Sequence, residues 1–116
     1  MCRLTLEELT MILSEDVVKR NTCVELNFCV DGSELYHDCW LGKMPDSEPK
    51  QNAVFWFGLV ADGSQAYDYP TLPELLEAGV LEGKSLLEIL PSITWYSLDG
   101  CGVEERLEYY RLDTFR

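Results

Sequence analysis

Ala53 to Tyr69, AVFWFGLVADGSQAYDY, is the stretch whose reading decides the fold. Its first half is an unbroken run of aromatic, aliphatic and β-branched residues, the pattern of a strand buried on both faces. Asp62-Gly63 then supplies a pair that favours a tight reversal into a second strand. The stretch reads as a central β-hairpin. Trp56 and Phe57 point to opposite faces of its first strand, so each face has bulk to cover. A helix, a second subunit or a foreign partner could supply that cover, and which one does so bears directly on function.

Working upstream, Thr22 to Val30 alternates Val24, Leu26, Phe28 and Val30 with Cys23, Glu25, Asn27 and Cys29, which predicts a strand with one apolar face. Asp31-Gly32 is a second hairpin signal, and Ser33 to Leu41 is the expected return strand. A two-residue loop would set Leu26 opposite His37 and Glu25 opposite Asp38. A three-residue loop with a bulge would set Phe28 opposite Tyr36 and Val24 opposite Trp40, and is favoured because it avoids facing carboxylates. The two hairpins echo each other: VDGSELYHD at Val30–Asp38 and ADGSQAYDY at Ala61–Tyr69 share Asp-Gly-Ser and a tyrosine three residues after the serine. Common turn chemistry explains that match.

Helices are expected at both ends of the chain and after the second hairpin. Thr5 and Glu8 form a capping box ahead of Leu6, Leu9, Ile12 and Leu13. Thr71 and Glu74 repeat the signature after Pro70, predicting a short helix over Leu72–Ala78 with Gly79 as a left-handed stop. Lys84 to Leu90 has room for one or two further turns. Ser92 to Leu98 is β-branched and aromatic and reads as strand five, Asp99 to Gly102 as a flexible break, and Val103 to Leu112 as a final short helix with Val103, Leu107 and Tyr110 on one side. Glu15–Asn21 and Gly42–Asn52 are polar connections, the second an exposed loop. The sum is an α+β domain spanning residues 1–116, with an antiparallel sheet of about five strands.

Composition narrows the class of function. The 21 acidic residues against 9 basic ones leave a formal net charge of −12, spread along the chain, which disfavours direct nucleic-acid binding and favours a partner with a basic surface. No apolar run has the roughly 20 residues needed to cross a bilayer, so no membrane association is expected. Five cysteines in an odd set, with no secretory signal, fit reduced thiols and a cytoplasmic location.

Catalytic signatures are sparse. His37 and Cys39 would share a strand face, but paired Cys-x-x-Cys spacings are missing, and acidic surroundings oppose a reactive thiolate. There is no glycine-rich phosphate loop, GxSxG or metalloprotease helix. No catalytic residue, metal or cofactor is assigned. The aromatics are the better candidates. In the favoured register Tyr36, Asp38 and Trp40 share a face, and Tyr67, Asp68 and Tyr69 follow in strand four; aromatics mixed with carboxylates suit an interface that receives a basic partner. The expectation is a non-catalytic acidic protein-binding module, comparable in class to bacterial and phage-borne inhibitors of the immunity or anti-defence type. Two alternatives stand beside it: a small-molecule pocket or minor enzyme lined by Trp40, His37 or Trp95, and a homodimer through the uncovered face of strand three.

Overall fold

Capping chemistry sets the helix starts. In the computed structural model, which describes residues 3–13, 24–44, 55–60 and 62–114 with side chains through 108, Thr5 and Glu8 make a reciprocal box. The Thr5 N–H donates to Glu8 Oε1 at 2.9 Å, and the Glu8 N–H donates to Thr5 Oγ1 at 3.1 Å. Helix α1 (Leu6–Leu13) follows and buries Leu9, Ile12 and Leu13, while Leu6 stays exposed. Thr71 caps α2 (Leu72–Glu77), and Ser85 with Glu88 boxes α3 (Leu86–Ile89), which runs on into a 3-10 turn at Leu90–Ser92. Helix α4 is Val103–Thr114, burying Val103 and Leu107; the Tyr110 side chain lies outside the described residues, as do Glu15–Asn21 and most of the Gly42–Asn52 connection. The stop of α2 differs from expectation. Ala78 ends it in extended conformation, and Gly79 instead allows close packing, since a Cβ there would lie 3.3 Å from the Gly83 carbonyl oxygen.

Five strands, β1 (Val24–Val30), β2 (Cys39–Lys43), β3 (Phe55–Gly58), β4 (Ala66–Tyr69) and β5 (Ile93–Leu98), form one antiparallel sheet in the order β4-β3-β2-β1-β5. The α+β architecture is as expected, but the hairpin of β3 and β4 is not its centre. The middle strand is β2, and β4 is an edge. Nor is β3 buried on both faces: Phe57 is buried and Trp56 only partly so.

The first hairpin departs furthest from its sequence reading. Leu26 stands opposite Leu41 and Phe28 opposite Cys39, so neither expected register forms. The cause is local. Val30 C=O accepts from the Ser33 N–H (3.0 Å), Ser33 Oγ accepts from the Tyr36 N–H (3.0 Å), and Tyr36 C=O accepts from the Val30 N–H (2.7 Å). These turn bonds hold Ser33 and Tyr36 in a bend in place of extended strand, so β2 starts only at Cys39 and takes in Gly42 and Lys43. In the second hairpin Gly58 pairs with Ala66 and the Leu59 N–H donates to Gln65 C=O at 3.0 Å, so the connection is longer than a two-residue turn. The repeated Asp-Gly-Ser segments meet in space: Tyr36 Oη donates to Gln65 Oε1 at 2.9 Å.

Alternate sheet residues pack under the helices. Leu26, Phe28, Leu41, Phe57, Ile93, Trp95 and Leu98 join Leu9, Ile12, Leu13, Leu75 and Leu86 in one buried cluster. Each such side chain contributes roughly 1.5–3 kcal/mol of transfer free energy. Phe28 and Trp95 pack with ring centroids 5.1 Å apart. The Asp99-Gly100 segment is a tight turn and not a flexible break. Both residues have positive φ (54° and 80°), and Asp99 is tied to β1 through its N–H on Glu25 C=O (2.8 Å) and its Oδ1 on the Glu25 N–H (2.9 Å).

Asp31 clamps the outer strand β5. Its Oδ1 accepts from Thr94 Oγ1 at 2.7 Å, and its Oδ2 pairs with Arg3 Nη2 at 2.7 Å, while Arg3 Nη1 donates to the Pro91 and Ile93 carbonyls at 3.0 Å each. The Thr94 hydroxyl first, and then Arg3, hold the Asp31 carboxyl below its ordinary value of 3.8. A carboxyl lowered on folding stabilises the native state above its unfolded value and loses that contribution as pH falls through the folded one. Asp31→Asn should therefore flatten the loss of stability below about pH 4. Urea midpoints measured from about pH 5 down to 2.5 check this, and an unchanged acid slope would assign it to other carboxylates.

Candidate functional site

Helices cover one face of the sheet, and alternation sends every second side chain to the other. The register arranges that other face in two rows. Glu25, Gly42, Trp56 and Asp68 stand side by side across β1, β2, β3 and β4. The next row holds Ser97, Asn27, Trp40, Gly58 and Ala66 across all five strands. Each tryptophan thus faces the other's glycine. Trp40 pairs with Gly58 and Gly42 with Trp56, which makes the two indoles diagonal neighbours, about 7–8 Å apart at their backbones.

The glycines let an indole lie low. A Cβ at Gly42 would come within 2.9 Å of Trp56 Cζ2, and one at Gly58 would sit 3.9 Å from Trp56 Cζ3, so the six-membered ring lies over both. Gly42 is constrained a second time, because its Cβ would also run into the Val24 carbonyl oxygen.

Glu25, Asp38, Trp40, Trp56, Gly58 and Val60 line a shallow groove of about 430 Å³ on this face. Asp38 is set in position by Asn27, whose Nδ2 donates to Asp38 Oδ1 at 2.9 Å and to Cys39 C=O at 3.0 Å. Trp40 is 36% exposed. None of Arg3, Lys43, Lys84 and Arg106, the Lys and Arg side chains among the described residues, lines the groove. Its charge is carried by carboxylates.

No protein family, curated sequence or solved structure matches this chain. The geometry therefore stands by itself.

The sheet divides the six residues singled out from sequence. Asp38, Trp40 and Asp68 belong to the open face. Tyr36, Tyr67 and Tyr69 lie on the covered side: Tyr36 is 4% exposed, and Tyr67 and Tyr69 flank the core opposite Phe57 and Phe55. Burial pushes the phenols of Tyr36 and Tyr69 above their ordinary value of 10.0, as expected for groups withdrawn from water. Tyr36 is parted from Trp40 by the bend over residues 34–38, which interrupts strand alternation, and Tyr67 and Tyr69 follow the parity of β4, which turns Ala66 and Asp68 outward. Trp56, Glu25 and Asn27 were missing from the set. Trp-x-Gly, which occurs at Trp40–Gly42 and again at Trp56–Gly58, is the sequence signal that finds the platform.

The pocket and cysteine readings can be placed on the same map. Trp95 packs on Phe28 in the core while Trp40 faces outward, so no one pocket is lined by both. Cys39 is fully buried with its thiol directed at Leu59 C=O (3.3 Å), and burial pushes that thiol up to about 12. It is a protonated core residue at neutral pH. His37 is exposed in the bend before β2. Among the described residues no three His, Cys, Asp or Glu side chains are grouped as metal ligands would be, and no helix is long and apolar enough to cross a membrane.

Two outcomes follow. Gly42→Ala should destabilise the fold by about 1–3 kcal/mol, since the new methyl meets backbone, whereas Gly58→Ala, which meets only the ring at ordinary distance, should stay within about 1 kcal/mol of wild type in urea unfolding. Equal effects would contradict the close approach at Gly42. In native protein the exposed Cys101 should alkylate readily and Cys39 only on unfolding, as peptide mapping after timed iodoacetamide exposure will read.

Proposed function

We propose that this is a cytoplasmic, non-catalytic binding module, an inhibitor of the immunity or anti-defence type, whose open sheet face occludes a basic surface on a nucleic-acid-handling protein. The observation that carries this reading is the grouping of two indoles with Glu25 and Asp38 in a groove that none of the described lysines and arginines lines, with Asp68 paired to Trp56 beside it. Nucleic-acid-binding surfaces are basic, and a net charge of −12 attracts them at long range while repelling nucleic acid itself. The carboxylates speed encounter, and buried tryptophans slow dissociation. The inhibitory mechanism is steric: the partner's basic surface is occupied, and no bond is made or broken.

Homodimerisation through this face is the weaker reading. A two-fold pairing presents the same patch from each copy, so Glu25, Asp38 and Asp68 would approach their own symmetry mates with no lysine or arginine among the described residues in the groove to neutralise them. A small-molecule site is also weaker, because the groove is shallow and enclosed on few sides.

The test is affinity capture from host lysate with wild type and with Trp56→Ala, followed by association kinetics on the purified partner. Capture should be lost in the variant, and the wild-type association rate should fall roughly ten-fold between about 50 and 500 mM salt. A partner held equally by both proteins, or a rate indifferent to salt, sinks the proposal.

A further inference from the structure

We infer that the groove between Trp40 and Trp56 is a seat for a single arginine side chain presented by the protein partner. This rests on the docking reading above and names the chemical group that the face receives. The floor is the first reason. The Trp56 ring reaches the positions of Gly42 and Gly58 and stays partly open to solvent, and a planar cation stacks on an indole more favourably than on any other aromatic side chain. Trp40, on the diagonal, extends the same surface and is the more exposed of the groove's aromatic walls, at 36%.

The walls are the second reason. Glu25 and Asp38 line the same groove as the two indoles. Asp38 is oriented in advance, because Asn27 Nδ2 holds its Oδ1 at 2.9 Å while anchored on Cys39 C=O at 3.0 Å. Its Oδ2 and the Glu25 carboxylate have no hydrogen-bond partner among the described residues. Such a site offers indole surface flanked by carboxylate oxygens that can accept hydrogen bonds. A guanidinium matches that geometry, being planar, weakly hydrated and equipped with five N–H donors spread around its edge. A lysine ammonium pairs as a point charge, keeps more of its water and has no plane to stack. Quaternary ammonium recognition uses aromatic walls enclosing the cation from several sides, whereas these two indoles share one floor.

The test uses the full chain labelled at the indole nitrogens, so that Trp40, Trp56 and the core Trp95 report separately by NMR. Capped Gly-Arg-Gly is titrated against Gly-citrulline-Gly, which keeps the shape without the charge, against Gly-Lys-Gly, and against a neutral glucose trisaccharide. The arginine peptide should shift Trp40 and Trp56 saturably, leave Trp95 unmoved, and bind about ten-fold tighter than the citrulline peptide and roughly three-fold tighter than the lysine peptide. Asp38→Asn should remove most of that preference, and Asn27→Ala, titrated well below its melting transition, which loss of the bond to Cys39 C=O lowers by about 4–8 °C, should weaken arginine binding about three-fold. Unmoved indoles, equal response to citrulline, a lysine preference or a response to the trisaccharide would each overturn the arginine seat. If the indoles stay unmoved yet Trp56→Ala still loses the captured partner, only the arginine assignment fails. If partner capture is also indifferent to Trp56, the docking reading falls with it.

Discussion

A sheet covered by helices on one side only must sort its residues by parity, and the rest of this structure depends on that constraint. Side chains alternate along a strand, so every strand contributes one set of residues to the core and another to the open face. The core set is met by α1, α2, α3 and α4, whose buried leucines and valine complete one cluster with Leu26, Phe28, Phe57 and Trp95. The open set has no such cover among the described residues, and its character is what remains: two indoles, three carboxylates and two glycines.

The glycines link architecture to chemistry. Gly42 is demanded by the close passage of β1, where a Cβ would meet the Val24 carbonyl, and the space it leaves is filled by Trp56. A requirement of strand packing thus makes the room that the indole occupies. Asn27 makes a comparable link. Its amide ties β1 to β2 through Cys39 C=O and, from the same nitrogen, fixes Asp38 at the groove wall. Sheet pairing and groove geometry are held by the same atoms, so the face is preorganised by the scaffold that carries it.

Much of the fold is legible locally. The capping boxes at Thr5 and Ser85, the Thr71 cap and the alternation from Val24 to Val30 each rest on interactions within a few residues, which a sequence displays directly. The first hairpin is not legible in the same way. Asp31-Gly32 marks a reversal, but Ser33 Oγ on the Tyr36 N–H competes with strand extension, and that bend delays β2 until Cys39. The bend interrupts the strand alternation that would have set Tyr36 on the face of Trp40, which is why Tyr36 lies in the core. The site was half visible for the same reason. Asp38, Trp40 and Asp68 fall on the open face, while Tyr67 and Tyr69 follow β4's parity to the covered one.

By itself the sequence determined the class of the molecule: an α+β chain with an acidic charge balance, helices begun by capping residues, and apolar periodicities that choose strand or helix. These follow from composition and from interactions between near neighbours, which need no third dimension. Only the tertiary structure decided that β2 and not β3 lies at the centre, that helices gather on one face, and that Trp56 reaches the positions of both glycines with Trp40 on its diagonal. Those outcomes depend on register between strands distant in sequence, and register is set by the sum of cross-strand packing, turn hydrogen bonds and helix coverage.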